Sequence, residues 1–319
     1  MGALAPAQVQ AEILRRLTSF HDGLPDSLQA PFATMLRSRG YLLVDEPPDY
    51  FNPLATPLLQ LPIWIADRLR RDGAHIPDSA VLDAAEAALT GYFLIRVHDD
   101  FCDEQIGEPR TVLFLSTALQ ARMDAIFGRV VPAGSRFWEL AGGLFAEYGD
   151  AMLLEHRLHE TTGVRDVDTL RDVLRRSQLL VLAGAAILAH ADRWELLDPL
   201  SAMVGQLVLA VQLYNDAFDA EEDQKRGTLT YVVCRFGGDT DGAAMRKKLL
   251  AEGGLDMMVD EAIEAVQTAR GIAGELKLPG AEAYFKARIE AMDASRRDLF
   301  TSIFARLLGL SPEDVAGSG

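Results

Sequence analysis

The sequence predicts an all-α fold, a single-domain antiparallel helical bundle around a central apolar cavity. Three observations predict it. Ala- and Leu-rich stretches place apolar residues at helical spacing along most of the 319 residues. Period-two alternation of β-branched residues is scarce. Gly, Pro and Asp-Gly breakers fall between the apolar stretches rather than inside them.

The elements follow in order. Helices are expected over Ala7–Thr18 and Leu28–Ser38, separated by Asp22-Gly23. Glu46-Pro47-Pro48 precedes a helix over Pro57–Asp72, and the N-cap candidate Asp78-Ser79 opens one over Ser79–Asp100. Gly107-Glu108-Pro109 leads into Thr111–Arg129, and Pro132-Ala133-Gly134 into Ser135–Glu160. Val167–Ala189 and Pro199–Glu221 are apolar nearly all round at Leu179–Leu188 and Met203–Leu213, which suits the centre of a bundle. Gly237-Gly238 and Pro279-Gly280 bound the last three, Ala243–Glu252, Gly254–Leu276 and Gly280–Leu308. One helical domain over 1–310 and a frayed, disordered tail over 311–319 are expected.

Composition narrows the partners. The chain is 49% hydrophobic and 24% charged, with 31 Lys+Arg against 47 Asp+Glu and a net charge of −16. That balance repels polyanions, so it argues against nucleic acid and against an anionic membrane surface. The two cysteines, Cys102 and Cys234, make no disulfide framework. A reducing, cytoplasmic setting without a signal peptide is the expectation. The apolar runs Leu179–Ala189 and Leu207–Tyr214, the second broken only by Gln212, are too short to span a bilayer, so no membrane span is expected.

Chemistry gathers at two acidic clusters, each ending an apolar helix. The first is Asp99-Asp100-Phe101-Cys102-Asp103, a DDxxD pattern. Residues four apart share a helix face, so Asp99 and Asp103 point the same way with Asp100 beside them. Their mutual repulsion calls for a hard cation, and Mg²⁺ takes carboxylate oxygens while keeping positions for water and phosphate. In the second cluster Asn215, Asp219 and Asp223 recur every four residues, and Lys225 and Arg226 follow. Together the clusters describe metal ions and basic side chains holding a polyanionic group at the mouth of an apolar cavity.

These motifs resemble the class I isoprenoid synthase superfamily, the trans-prenyl diphosphate synthases and class I terpene synthases, over about Ser79 to Tyr231. Asp99–Asp103 resembles the first aspartate-rich motif. Val211-Gln212-Leu213-Tyr214-Asn215-Asp216-Ala217-Phe218-Asp219 resembles the second, FQxxDDxxD, with Val211 for its Phe and Asn215 for its first Asp. The same segment is similar to the N-x3-S/T-x3-E triad of bacterial terpene synthases, read as Asn215, Asp219 and Asp223. Arg176-Ser177 resembles a diphosphate-contacting Lys-Thr pair.

The resemblance implies the isoprenoid synthase fold, a prenyl diphosphate substrate and three Mg²⁺ ions. Two ions would be held by Asp99 and Asp103, and the third by Asn215, Asp219 and Asp223. Arg176, Lys225 and Arg226 would bind diphosphate. Phe93, Phe101, Tyr214 and Phe218 would line the cavity, with Tyr92 a further candidate, and a homodimer is expected. Chain-elongating members carry a Gly-Lys-Arg segment near the N-terminus and an Arg-Arg pair after the first motif. Here Asp49–Leu54 has no basic residue, and only Arg110 follows the motif. A site short of such donors grips a second diphosphate poorly. The sequence therefore favours a terpene synthase, a lyase that ionises one linear prenyl diphosphate and cyclises or quenches the cation. The alternatives are a chain-elongating prenyltransferase and a non-catalytic partner subunit. Two lesser features remain: Glu155 with His159 on an expected helix end, and Arg296-Arg297 in the last helix.

Overall fold

The structure is a computed structural model and describes residues 5–38, 49–102, 108–237 and 242–308. Asp103 and the tail 311–319 lie outside the described residues, as does the side chain of Asp100. Among the described residues there are twelve α-helices and no strand. They are α1 (Pro6–Gly23), α2 (Asp26–Ser38), α3 (Gln60–Arg71), α4 (Asp78–Cys102), α5 (Pro109–Val130), α6 (Phe137–Thr161) and α7 (Val167–Leu174). After them come α8 (Leu182–His190), α9 (Leu197–Arg226), α10 (Gly242–Ala251), α11 (Gly254–Glu275) and α12 (Ala281–Leu308).

Local chemistry sets the ends. Glu108 caps α5 by accepting the Thr111 amide at 2.7 Å, with Pro109 in the first turn. Asp166 caps α7 in the same way through Thr169. Gly227, at φ 74°, takes the left-handed conformation that stops α9.

One expectation needs correction. The helix expected over Val167–Ala189 is broken into α7, a 3₁₀ turn over Arg175–Val181, and α8. The break falls where Arg175-Arg176-Ser177-Gln178 interrupts an apolar stretch, so the polar side chains leave the line of the buried helix.

Two apolar clusters form the core. The larger is built around α8, α9 and α11, and the smaller joins α1 and α2 to α4 and α5. Every residue of α8 from Leu182 to Ala189 is buried. A Cβ at Gly184 would stand 2.8 Å from Leu200 Cδ2, so glycine lets α8 and α9 approach. The helical stretches Val167–His190 and Trp194–Arg226 are long and apolar enough to cross a bilayer, which the shorter unbroken runs do not suggest. Inside the fold 61% and 44% of their most apolar parts are buried, so they serve as core helices.

A charged knot ties α1, α4 and α5. Glu86 is 3% exposed and accepts from Arg16 at 3.0 Å and from Arg122. Asp83 accepts from Arg16 at 2.7 Å and from Arg129 at 3.0 Å. Removing one partner of a buried ionic group strands the others in a low-dielectric setting. Glu86→Ala is expected to cost about 3–5 kcal/mol of folding stability, read as a lowered urea midpoint; a loss of a few tenths would show that the knot is solvent-screened.

Candidate active site

The C-terminal part of α4, the middle of α9, the 3₁₀ turn and the irregular segment before α3 converge on one cavity of about 360 Å³. From α4 come Tyr92, Ile95, Arg96 and Asp99. From α9 come Val204, Leu207, Val208, Val211, Gln212 and Asn215, and the 3₁₀ turn adds Arg176, Ser177 and Leu180. Tyr50 and Leu54 to Leu58, with Leu61 of α3, complete the wall. Polar groups collect where α4 and α9 present Asp99 and Asn215, and aliphatic side chains line the rest. Asp99 and Asn215, one residue from each cluster and far apart in sequence, thus line one pocket.

The guanidiniums facing it are anchored. Arg96 donates Nη1 to Asp99 Oδ2 at 3.0 Å. Arg176 pairs with Glu155 of α6, and both side chains are about 15% exposed. That places Glu155, which the sequence groups with His159 as metal-capable, behind a cavity arginine instead. Asp99 Oδ1 is buried without a hydrogen bond. A bare carboxylate oxygen at the head of a pocket, with the Asn215 carboxamide on the same pocket, is a hard-oxygen donor set that fits Mg²⁺. Among the described residues no three His, Cys, Asp or Glu side chains form a ready metal cluster.

The remaining candidates separate. Asn215 and Asp219 are exposed and Asp223 half-buried along one stripe of α9, and of the three only Asn215 lines the cavity. Desolvation, then Glu222, raises the Asp219 carboxyl. Lys225 and Arg226 lie exposed beyond the cavity and pair with Glu221 and Glu222, each at 2.6 Å. Four of the expected cavity aromatics are not among its lining residues. Phe93 is fully buried in the smaller core against Phe32. Phe101 is 44% exposed. Tyr214 and Phe218 pack on each other, with centroids 4.6 Å apart, against the larger core. Tyr92 does line the cavity. Arg296 is tied to Asp260 at 2.7 Å and Asp293 at 2.5 Å. His98 bonds Tyr148 at 2.7 Å, and burial holds its imidazole below the ordinary value.

Missed by the motif reading are the cavity role of Gln212 and the burial of Asp216. Asp216 is 4% exposed and accepts from Gln212 Nε2 at 2.6 Å. Desolvation lifts its carboxyl to about 7, against the Gln212 bond that lowers it. The signal was the position itself, one residue round the helix from Asn215 and next to the buried Ala217.

Comparison with known proteins follows from this geometry. No protein-family model matches the chain, and no curated protein matches it. Solved structures do. A geranylgeranyl pyrophosphate synthetase from the archaeon Geoglobus acetivorans superposes with a TM-score of 0.66 at 15% identity, over 92% of this chain and 99% of that one. A geranylgeranyl pyrophosphate synthase gives 0.66 at 15%, over 97% and 99%. A polyprenyl synthase from Caulobacter crescentus CB15, complexed with calcium and isoprenyl diphosphate, gives 0.59 at 16%, over 92% and 98%. The chain has the all-α isoprenoid synthase fold that these synthases share.

The buried Asp216 makes a pH prediction. A raised carboxyl means that the folded state binds an extra proton, so this group lowers stability as pH rises from 3.8 toward about 7. Without added metal, Asp216→Asn is expected to flatten that slope and gain up to about 4 kcal/mol over wild type at pH 8, with little difference at pH 4. Parallel urea-unfolding curves for the two proteins across this range would contradict it.

Proposed function

We propose that the chain is a divalent-metal-dependent prenyltransferase that ionises an allylic prenyl diphosphate in this cavity and joins the cation to a prenyl acceptor. The carrying observation is the cavity: Asp99, Arg96, Arg176 and Asn215 at one end, and an aliphatic interior reaching Leu61 and Val204. That pairing suits a diphosphate headgroup and an isoprenoid tail. The named structural neighbours support transfer over cyclisation, since all are prenyl diphosphate synthases.

Asp99 and Asn215 would hold Mg²⁺, with Asp219 and Asp223 next along the α9 stripe. When bound, the metal supplies positive charge to the departing pyrophosphate. Arg176 and Arg96 orient that group, and the apolar wall keeps water from the cation.

A second reading, the terpene synthase that the sequence favours, rests on one observation. Asp49–Leu54 carries no cation, and Arg96 and Arg176 are the only cationic side chains among the described residues lining the cavity. Incubation with allylic diphosphates and Mg²⁺, with and without isopentenyl diphosphate, separates the two. Longer diphosphates that appear only with isopentenyl diphosphate support transfer; hydrocarbons or alcohols that ignore it support cyclisation or quenching. No pyrophosphate release under any condition rejects both and leaves a non-catalytic partner subunit. Asp99→Ala and Asn215→Ala are each expected to lower Mg²⁺-dependent pyrophosphate release by about 10²–10³-fold; wild-type rates in either would remove its residue from the chemistry.

A further inference from the structure

One cavity wall has no secondary structure of its own. Leu54, Ala55, Thr56, Pro57 and Leu58 all face the cavity from the segment before α3. A local bond closes its start, where the Leu54 amide donates to Asn52 Oδ1 at 2.8 Å. Without a helix or strand ladder, the position of such a segment depends on bonds from elsewhere.

Those bonds come from α12, more than 220 residues along the chain. Arg288 is 1% exposed. Its Nη1 donates to Pro53 O at 2.9 Å, to Ala55 O at 3.0 Å and to Tyr284 Oη at 2.8 Å. Tyr284 donates its hydroxyl to Ala55 O at 3.0 Å and packs on Trp64 of α3, with ring centroids 5.2 Å apart. Among the described residues no carboxylate pairs with Arg288, and its Nε is buried without a hydrogen bond. A buried guanidinium normally sits on an acidic partner. This one is held through Nη1 by two carbonyls of a single loop and by the Tyr284 hydroxyl.

We propose that Arg288, with Tyr284, is a positioning residue that fixes the 53–58 wall and thereby sets which prenyl chain the cavity accepts. The inference rests on the proposed function in that the cavity must hold the prenyl tail. Arg288 is not among the cavity-lining residues, so its effect passes through the wall. Removing it takes the Arg288 bond from Pro53 O and leaves Ala55 O with the Tyr284 hydroxyl, and the segment shifts to recover what is lost.

The test uses the full chain with Arg288→Met, Arg288→Lys and Tyr284→Phe. Three readouts are taken: kcat/KM for the ten-, fifteen- and twenty-carbon allylic diphosphates, Mg²⁺-dependent binding of inorganic pyrophosphate by calorimetry, and amide exchange over 53–58. Arg288→Met is expected to change the ratio of kcat/KM between the shortest and longest substrates by about tenfold, the scale of a reshaped apolar pocket. Exchange over 53–58 should quicken while pyrophosphate affinity holds. Arg288→Lys should restore part of the wild-type ratio, and Tyr284→Phe should move it the same way by less. A folded Arg288→Met or Tyr284→Phe protein with the wild-type ratio overturns the proposal. So does a parallel loss of pyrophosphate affinity, which would mark general damage. Failure of the underlying reading looks different: the wild-type chain turns over none of the three substrates although exchange over 53–58 still responds to Arg288→Met, and the specificity role falls with it.

Discussion

A helix shaft buried on every side can carry charge only where the burial ends, because an unpaired charge in an apolar setting is costly. That constraint places the site. α9 is apolar and buried through Leu207–Ala210 and Leu213, and its first exposed polar side chain beyond them is Asn215. α4 is likewise buried through Phe93–Ile95 and Val97 before Asp99. At Asp99 and Asn215 both helices present polar groups to the cavity, and aliphatic side chains line much of the rest. Asp216, the next residue, turns back onto the face of α9 that stays buried with Ala217 and Ala220, and its carboxyl is pushed toward neutrality.

The charges at the cavity are paired in advance. Arg96 is held by Asp99 and Arg176 by Glu155, so each guanidinium has a fixed direction. An oriented cation loses less freedom when an anion arrives than a mobile one does, and this favours headgroup binding without adding net charge. Lys225 and Arg226, paired along an exposed helix end, have no such enclosure. Exposed pairs of that kind contribute little and exchange readily with solvent.

The helices were legible because their signals are local. Pro109 and Pro279-Gly280 mark ends by backbone preference alone, and the structure follows them within a few residues. The meeting of Asp99 with Asn215 at one pocket could be anticipated, since each caps an apolar run. The lining aromatics could not. Phe93 and Ile95 share one short stretch of α4, yet they face different cores, and which face meets the cavity depends on packing partners absent from any local pattern. Arg288 was hidden for the same reason: its carbonyl partners lie at Pro53 and Ala55, and no spacing rule links positions so distant. Glu155 read as a polar helix end because its partner Arg176 lies on the 3₁₀ turn, a separate element 21 residues along the chain.

The 3₁₀ turn at Arg175–Val181 has a geometric consequence. A 3₁₀ turn winds about 120° per residue against about 100° in an α-helix. Seven residues therefore advance the phase by about 140° more than an unbroken helix would. α8 is apolar all round, but its rotation is fixed by Gly184, the residue that must face Leu200. α7, with one buried face, keeps its own phase. The twist is absorbed between them, and it governs which of residues 176, 177 and 180 face the cavity. An inserted or deleted residue here would turn Gly184 away from Leu200 or carry residues 176, 177 and 180 off the cavity, so the core and the pocket together fix the length of this turn.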